Sequence, residues 1–144
     1  MVGYGAAMLT HAEATALFDR RRRAWLAENL AAYLDCFTDD LVFGSPVHDP
    51  PLAGREAFAD LVRRSSAALR PDAFDVHALA VHDSLVLAEW TIAVVGRTDG
   101  RAVRWRGMSS AQYRGERIAV WREYWDPATL RPAEAAARAT PPGR

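Results

Sequence analysis

The stretch AVWREYWDP, residues 119 to 127, holds two of the chain's five tryptophans with a single glutamate between them. In an extended strand, alternate side chains face opposite ways. One face then carries Ala119, Trp121, Glu123 and Trp125, and the other Val120, Arg122, Tyr124 and Asp126. The first face is apolar except for the Glu123 carboxyl. Among indoles such a group is desolvated, which disfavours its charged form and raises its pKa. A carboxyl moved toward neutrality can serve as general acid, hydrogen-bond donor, or base near working pH. The other reading is a glutamate satisfied by an arginine or a backbone amide, with structural duty alone.

Two neighbouring stretches share that alternation. In RAVRWRGMSSAQYR, Val103, Trp105, Gly107, Ser109 and Ala111 fall on the inner face, while Arg104, Arg106, Met108, Ser110 and Gln112 face outward. In LVLAEWTIAVVG the matching inner face is Ala88, Trp90, Ile92 and Val94. Trp90, Trp105, Trp121 and Trp125 thus point toward one interior, which Trp25 closes from a helix. Small residues at 107, 109 and 111, opposite large rings, leave a space. Either helices fill it, or it is a pocket for a small hydrophobic molecule.

The elements that hold these positions follow from pattern. Thr10 or His11 begins a helix with Leu17, Phe18, Trp25, Leu26 and Leu30 on one face. The run Arg20-Arg21-Arg22-Arg23 reads as a solvated side of that helix. A short second helix, roughly 30–37, ends at Thr38-Asp39-Asp40, whose acids read as turn and capping residues. Strand Leu41-Val42-Phe43 and the Pro-rich loop SPVHDPPLAG, which carries His48, come next. Gly54-Arg55-Glu56 opens a helix that ends before Arg70-Pro71. Four strands then form an antiparallel meander, with turn chemistry at Asp83-Ser84, Thr98-Asp99-Gly100 and Gly115-Glu116. In the first of these strands, FDVHALAV, the inner face is Phe74, Val76, Ala78 and Ala80; His77 and His82 belong to the surface. The fold class is α+β, with helices gathered on one side of a curved sheet. Residues 10–132 make one domain, between a flexible N-terminus (1–9) and a flexible tail (133–144).

Composition narrows the function. Eighteen basic residues, every one an arginine, balance eighteen acidic ones over 144 residues, so no global field favours nucleic acid or an anionic membrane. The single Cys36 excludes an internal disulfide and a cysteine-based zinc site. His, Asp and Glu spacings suggest no metal site, and there is no phosphate loop or nucleophilic triad. No apolar run reaches membrane-spanning length, and a cytoplasmic small-molecule protein is the default expectation.

With these elements in place the chain resembles the NTF2-like, or ketosteroid-isomerase-like, superfamily, and within it the SnoaL-like polyketide cyclases and limonene-epoxide hydrolases. FTDDLVFGSPVHDPPLAGREAF is similar to the acidic turn, strand, Pro-rich loop and helix start of that group. LAEWT and RIAVWREYWDP are similar to its later strands. The resemblance implies a cone-shaped sheet wrapped around helices and an apolar pocket. It also implies a homodimer through the outer sheet face carrying Met108 and Tyr124.

Carried over by position, the family's catalytic aspartate on the last strand is Glu123 here. The Arg-x-Asp pair of the epoxide hydrolases falls at Trp90-Thr91-Ile92. Their water-holding Tyr and Asn fall at Phe43 and Ser45. The isomerase base falls near Ser45 and its oxyanion-side acid near Ser109. The cyclase Gln and His fall at Gly107 and Ser109. One acid remains from each constellation, and it is the same one.

The resulting expectation is a cofactor-free cyclase that closes a ring in a long, mostly apolar, polyketide-like intermediate of secondary metabolism. Glu123 is its catalytic group. Trp25, Phe43, Ser45, His48, Trp90, Ile92, Trp105, Gly107, Ser109, Trp121 and Trp125 line its substrate site. The alternatives are an epoxide hydrolase or isomerase relative, and a non-catalytic binder of a hydrophobic molecule.

Overall fold

Thr10 starts the first helix through a capping box. Its hydroxyl accepts the Glu13 N–H at 3.0 Å, and Glu13 Oε1 accepts the Thr10 N–H at 3.0 Å. Such a cap contributes about 1 kcal/mol, and α1 then runs His11–Leu26. The computed structural model describes residues 8 to 130. Leu9, expected in the loose N-terminus, donates its N–H to the Asp83 carbonyl at 2.9 Å and packs against the core, so the domain reaches at least one residue further back. Residues 1–7 of the expected loose N-terminus and all of the expected loose tail, 133–144, lie outside the described residues.

Three local expectations are corrected. The second helix, α2, is only Leu30–Leu34, and Phe37 already begins strand β1 (Phe37–Ser45). Asp39 and Asp40 are therefore strand residues, not a turn. Phe37 pairs with Ile118, Asp40 takes both prongs of Arg114 at 3.0 and 3.1 Å, and Asp39 pairs with Arg55. These partners, in the sheet and at the start of the following helix, override the local turn preference. Within the Pro-rich segment, His48–Ala53 forms strand β2, antiparallel to β1. It is an edge strand, where proline's missing donor is tolerated.

After α3 (Arg55–Ala68) the chain enters β3 (Leu69–His82), five residues earlier than expected. This is the other edge, which accommodates Pro71. His77 is an extra residue in its register, between Val76 and Ala78. The insertion flips the alternation, so Leu79 and Val81 pack on the core in place of Ala78 and Ala80.

Strands β4 (Leu85–Gly96), β5 (Ala102–Arg114) and β6 (Arg117–Trp125) complete the meander, and α4 (Pro127–Leu130) follows. The six-stranded sheet has the order β2-β1-β6-β5-β4-β3, with β1 joining β6 in parallel and every other pair antiparallel. The β5–β6 turn uses Gly115 at φ +63°, a conformation glycine adopts without strain. Beside that turn the register slips at Gln112/Tyr113, so fully buried Ile118, not Ala119, continues the Trp121 face. Two apolar clusters form between sheet and helices. One is built on Tyr33, Phe37, Phe43, Phe58, Ile118 and Trp121, and the other on Phe18, Phe74, Trp90, Ile92 and Val94. This is the α+β cone expected from the sequence. Among the described residues no helix is long and apolar enough to cross a membrane.

Candidate functional site

A cavity of about 280 Å³ lies between the two clusters. Tyr33, Phe43, Phe58 and Trp121 reach it from one, and Phe74, Ile92 and Val94 from the other. Trp25 of α1, Trp105 of β5 and Trp125 of β6 complete the aromatic wall. Glu123 opens into it between Trp121 and Trp125, as strand alternation requires. Trp125 Nε1 donates to Glu123 Oε1 at 3.4 Å, a long bond that leaves most of the carboxyl's capacity free. Burial pushes the Glu123 pKa up to about 7, although the positive charge of Arg21 and the Trp125 hydrogen bond pull the other way.

Arg21 is the residue that sequence reasoning missed. Its neighbours in the arginine run are engaged near the surface: Arg20 with Asp35 at 3.1 Å, and Arg22 and Arg23 with Asp19 at 3.3 and 2.9 Å. Arg21 alone turns inward and is 2% exposed. Its guanidinium carbon lies 4.6 Å from the Phe18 ring centroid and 4.5 Å from that of Trp121, a cation held between one ring of each apolar cluster. The signal was present as helical spacing. Ala14, Phe18, Arg21 and Ala24 are the buried positions of α1, and residue 21 follows Phe18 by three.

Tyr33, also unassigned on sequence, lines the same space. Burial holds its hydroxyl protonated well beyond neutral pH, with the Arg21 charge opposing that shift and Glu123 adding to it.

At the mouth, Ser45 Oγ and His48 Nδ1 share a hydrogen bond of 2.9 Å, and the His48 ring packs on Phe43 with centroids 5.5 Å apart. Burial, and secondarily the charge of Arg64, lower the His48 pKa, which favours the neutral imidazole. Ser45, His48 and Glu123 also border an outer groove of about 310 Å³, which brings solvent to the carboxyl's side of the cavity. His77 and His82 lie at the surface, where His77 Nε2 meets Thr91 Oγ1 at 2.6 Å.

Three expected wall residues do not reach the cavity. Trp90 is 1% exposed and lies across Gly107, where an added Cβ would meet its Cη2 at 2.6 Å. Its Nε1 donates to Ser109 Oγ at 3.2 Å. The space that small residues 107 and 109 leave is thus filled by Trp90 itself, and the three form a packed unit behind the wall.

Helices on the concave side of a curved six-stranded sheet, around an aromatic cavity with one acid on the last strand, define an NTF2-like cone. Residues 16–121 match the SnoaL-like domain, and the chain belongs to that family. Solved structures agree on the fold. An LEH-like epoxide hydrolase from M. tuberculosis is 22% identical with a TM-score of 0.70, over 90% of this chain and 98% of that one. A proposed polyketide cyclase from Xanthomonas campestris is 21% identical with a TM-score of 0.71, over the same shares of 90% and 98%. A proposed isomerase from Bacillus subtilis is 20% identical with a TM-score of 0.73, over 86% and 94%. Comparison with curated protein sequences gives no match.

Proposed function

We propose that the chain is a cofactor-independent cyclase that closes a ring in a mostly apolar biosynthetic intermediate, with Glu123 as the proton-carrying group. The observation that carries this reading is a carboxyl with a pKa of about 7 on the wall of an aromatic cavity. At that value it is available as acid and as base near neutral pH. The indoles and Phe43 fix a folded substrate shape, and holding reacting ends together contributes several kcal/mol of the barrier by orientation. A cavity of about 280 Å³ is at the small end for ligand pockets. It suits the reacting part of such an intermediate, with any longer remainder running out past half-exposed Val47. The cyclase named among the structural neighbours supports the class of reaction.

Epoxide hydrolysis is less well supported. Opening an epoxide with water calls for a base on the water and an acid on the oxygen, and a guanidinium does not serve as that acid. A cytoplasmic location and a homodimer through the outer face of β4, β5 and β6 belong to the same proposal.

The test is Glu123→Gln, which keeps size and removes the titrating proton. Turnover of a cyclisation substrate is expected to fall by about 10²–10⁴-fold while binding persists. Unchanged turnover would leave shape alone as the agent and overturn the role of Glu123. Binding without any turnover by the unaltered protein would favour a non-catalytic ligand carrier.

A further inference from the structure

Among the described residues, four buried side-chain atoms lack a hydrogen-bond partner: Arg21 Nε and Nη2, Trp105 Nε1 and Trp121 Nε1. All four belong to residues of the cavity wall, and all four are donors. An unpartnered buried donor is costly, and most so when it is charged. These donors are packed within the wall and not on its open surface, and a ligand that brings acceptor oxygens would satisfy them by drawing them out.

Arg21 makes the demand more specific. The rings of Phe18 and Trp121 lie close to its guanidinium carbon, and the two unpartnered nitrogens, Nε and Nη2, share one edge of the planar group. That edge is a fork of two parallel N–H bonds, the geometry that matches a planar group with two oxygens. The charge of Arg21 acts on Glu123, but the two form no direct ion pair among the described residues. Among the described residues, no carboxylate of the protein is hydrogen-bonded to that edge.

We infer that the cavity binds a substrate with an apolar body and one planar two-oxygen anion, either a carboxylate or the enolate of a 1,3-dicarbonyl, seated on the Nε–Nη2 edge of Arg21. The indole N–H groups of Trp105 and Trp121 take further oxygens of the same molecule. This rests on the cyclase reading only in treating the bound molecule as substrate; the anion site stands or falls by binding alone.

Two probes test it by calorimetry and absorbance on the full chain. The first is 3-phenylpropanoate against its neutral amide. The carboxylate is expected to bind at least about tenfold tighter, the scale of a charged two-pronged contact. Arg21→Met should remove that preference and Arg21→Lys, which keeps the charge but not the fork, should restore part of it. The second probe is 1-phenylbutane-1,3-dione, whose enolate absorbs differently from its neutral form. Bound, it should ionise at a pH about one unit lower than when free, its proton passing to the buffer.

A response to either probe supports the site and says which anion it takes. Equal binding of acid and amide, together with an unshifted dione, overturns it, and that measurement needs no variant to fold. Glu123→Gln separates the two proposals. Turnover lost with the carboxylate preference absent sinks only the anion site, whereas the preference kept with turnover unchanged sinks only the catalytic role of Glu123.

Discussion

Glu123 and Arg21 share one interior and answer burial in opposite ways. A carboxyl can give up its charge, and burial moves its pKa to about 7. The Arg21 guanidinium instead lies against two aromatic faces. The first response makes stability depend on pH. Between 4.5 and about 7 the folded protein holds a proton on Glu123 that the unfolded chain has lost. The stabilisation from this group is full below 4.5 and is lost as pH rises through about 7. Its size is about 2 kcal/mol, reduced from the full shift because Glu123 is partly exposed. Asp35 and Asp40, held low mainly by hydrogen bonds from Arg117 and Arg114, slope the other way at acid pH. The informative quantity is therefore the difference between the unaltered protein and Glu123→Gln in urea unfolding across pH 4.5 to 8. The stability of the unaltered protein relative to Glu123→Gln should fall by about 2 kcal/mol toward the alkaline end; a constant difference would show that the carboxyl is ionised throughout. Glu123 was legible because one charge breaks a two-residue alternation. Arg21 was not, because in a run of four arginines only the phase of the helix says which one turns inward.

At the level of elements, alternation was a reliable guide wherever the sheet is regular and failed where it bulges. Strands β4 and β6 span the expected residues, and the inner faces of β4 and β5 are those that alternation assigns. In β3 the extra residue His77 reverses the phase, and nothing in FDVHALAV announces an insertion. Face assignment also does not say which ring occupies which space. Gly107 and Ser109 read as openings onto a pocket, but Trp90 reaches across its own neighbour strand and fills them. This gives Gly107 a measurable role. A Cβ at 107 would stand 2.6 Å from Trp90 Cη2 and 2.9 Å from the Tyr124 carbonyl oxygen, and the latter is backbone that cannot swing aside. Gly107→Ala should therefore destabilise by about 1–3 kcal/mol, as overpacking does, despite alanine's better strand entropy. Urea or thermal unfolding checks this. Unaltered or raised stability would mean that Trp90 and the β6 backbone yield more readily than the packing implies.

For the molecule as a whole, the two sides of the sheet divide the work. The concave side carries the cavity and every residue assigned a chemical role. The outer side of β4, β5 and β6 exposes Leu87 at 40%, Met108 at 48% and Tyr124 at 59%. Met108 stands directly opposite Tyr124 on one neighbour strand and Glu89 on the other, so these apolar groups form one patch, along a groove of about 490 Å³. Contiguous exposed apolar surface of this kind usually marks an interface. A pair of sheets meeting face to face can supply the roughly 800 Å² per partner that a stable dimer buries. Leu87 and Met108 line neither the cavity nor the outer groove beside Glu123, so charge can be placed there without touching that site. Leu87→Arg combined with Met108→Arg should convert a dimer to a monomer in light scattering at micromolar concentration. The same variant should leave the carboxylate preference of the cavity unchanged, since neither residue borders the cavity or the outer groove beside Glu123. A monomeric unaltered protein would refute the dimer, and loss of ligand preference along with dimerisation would show that the cavity depends on the partner for its shape.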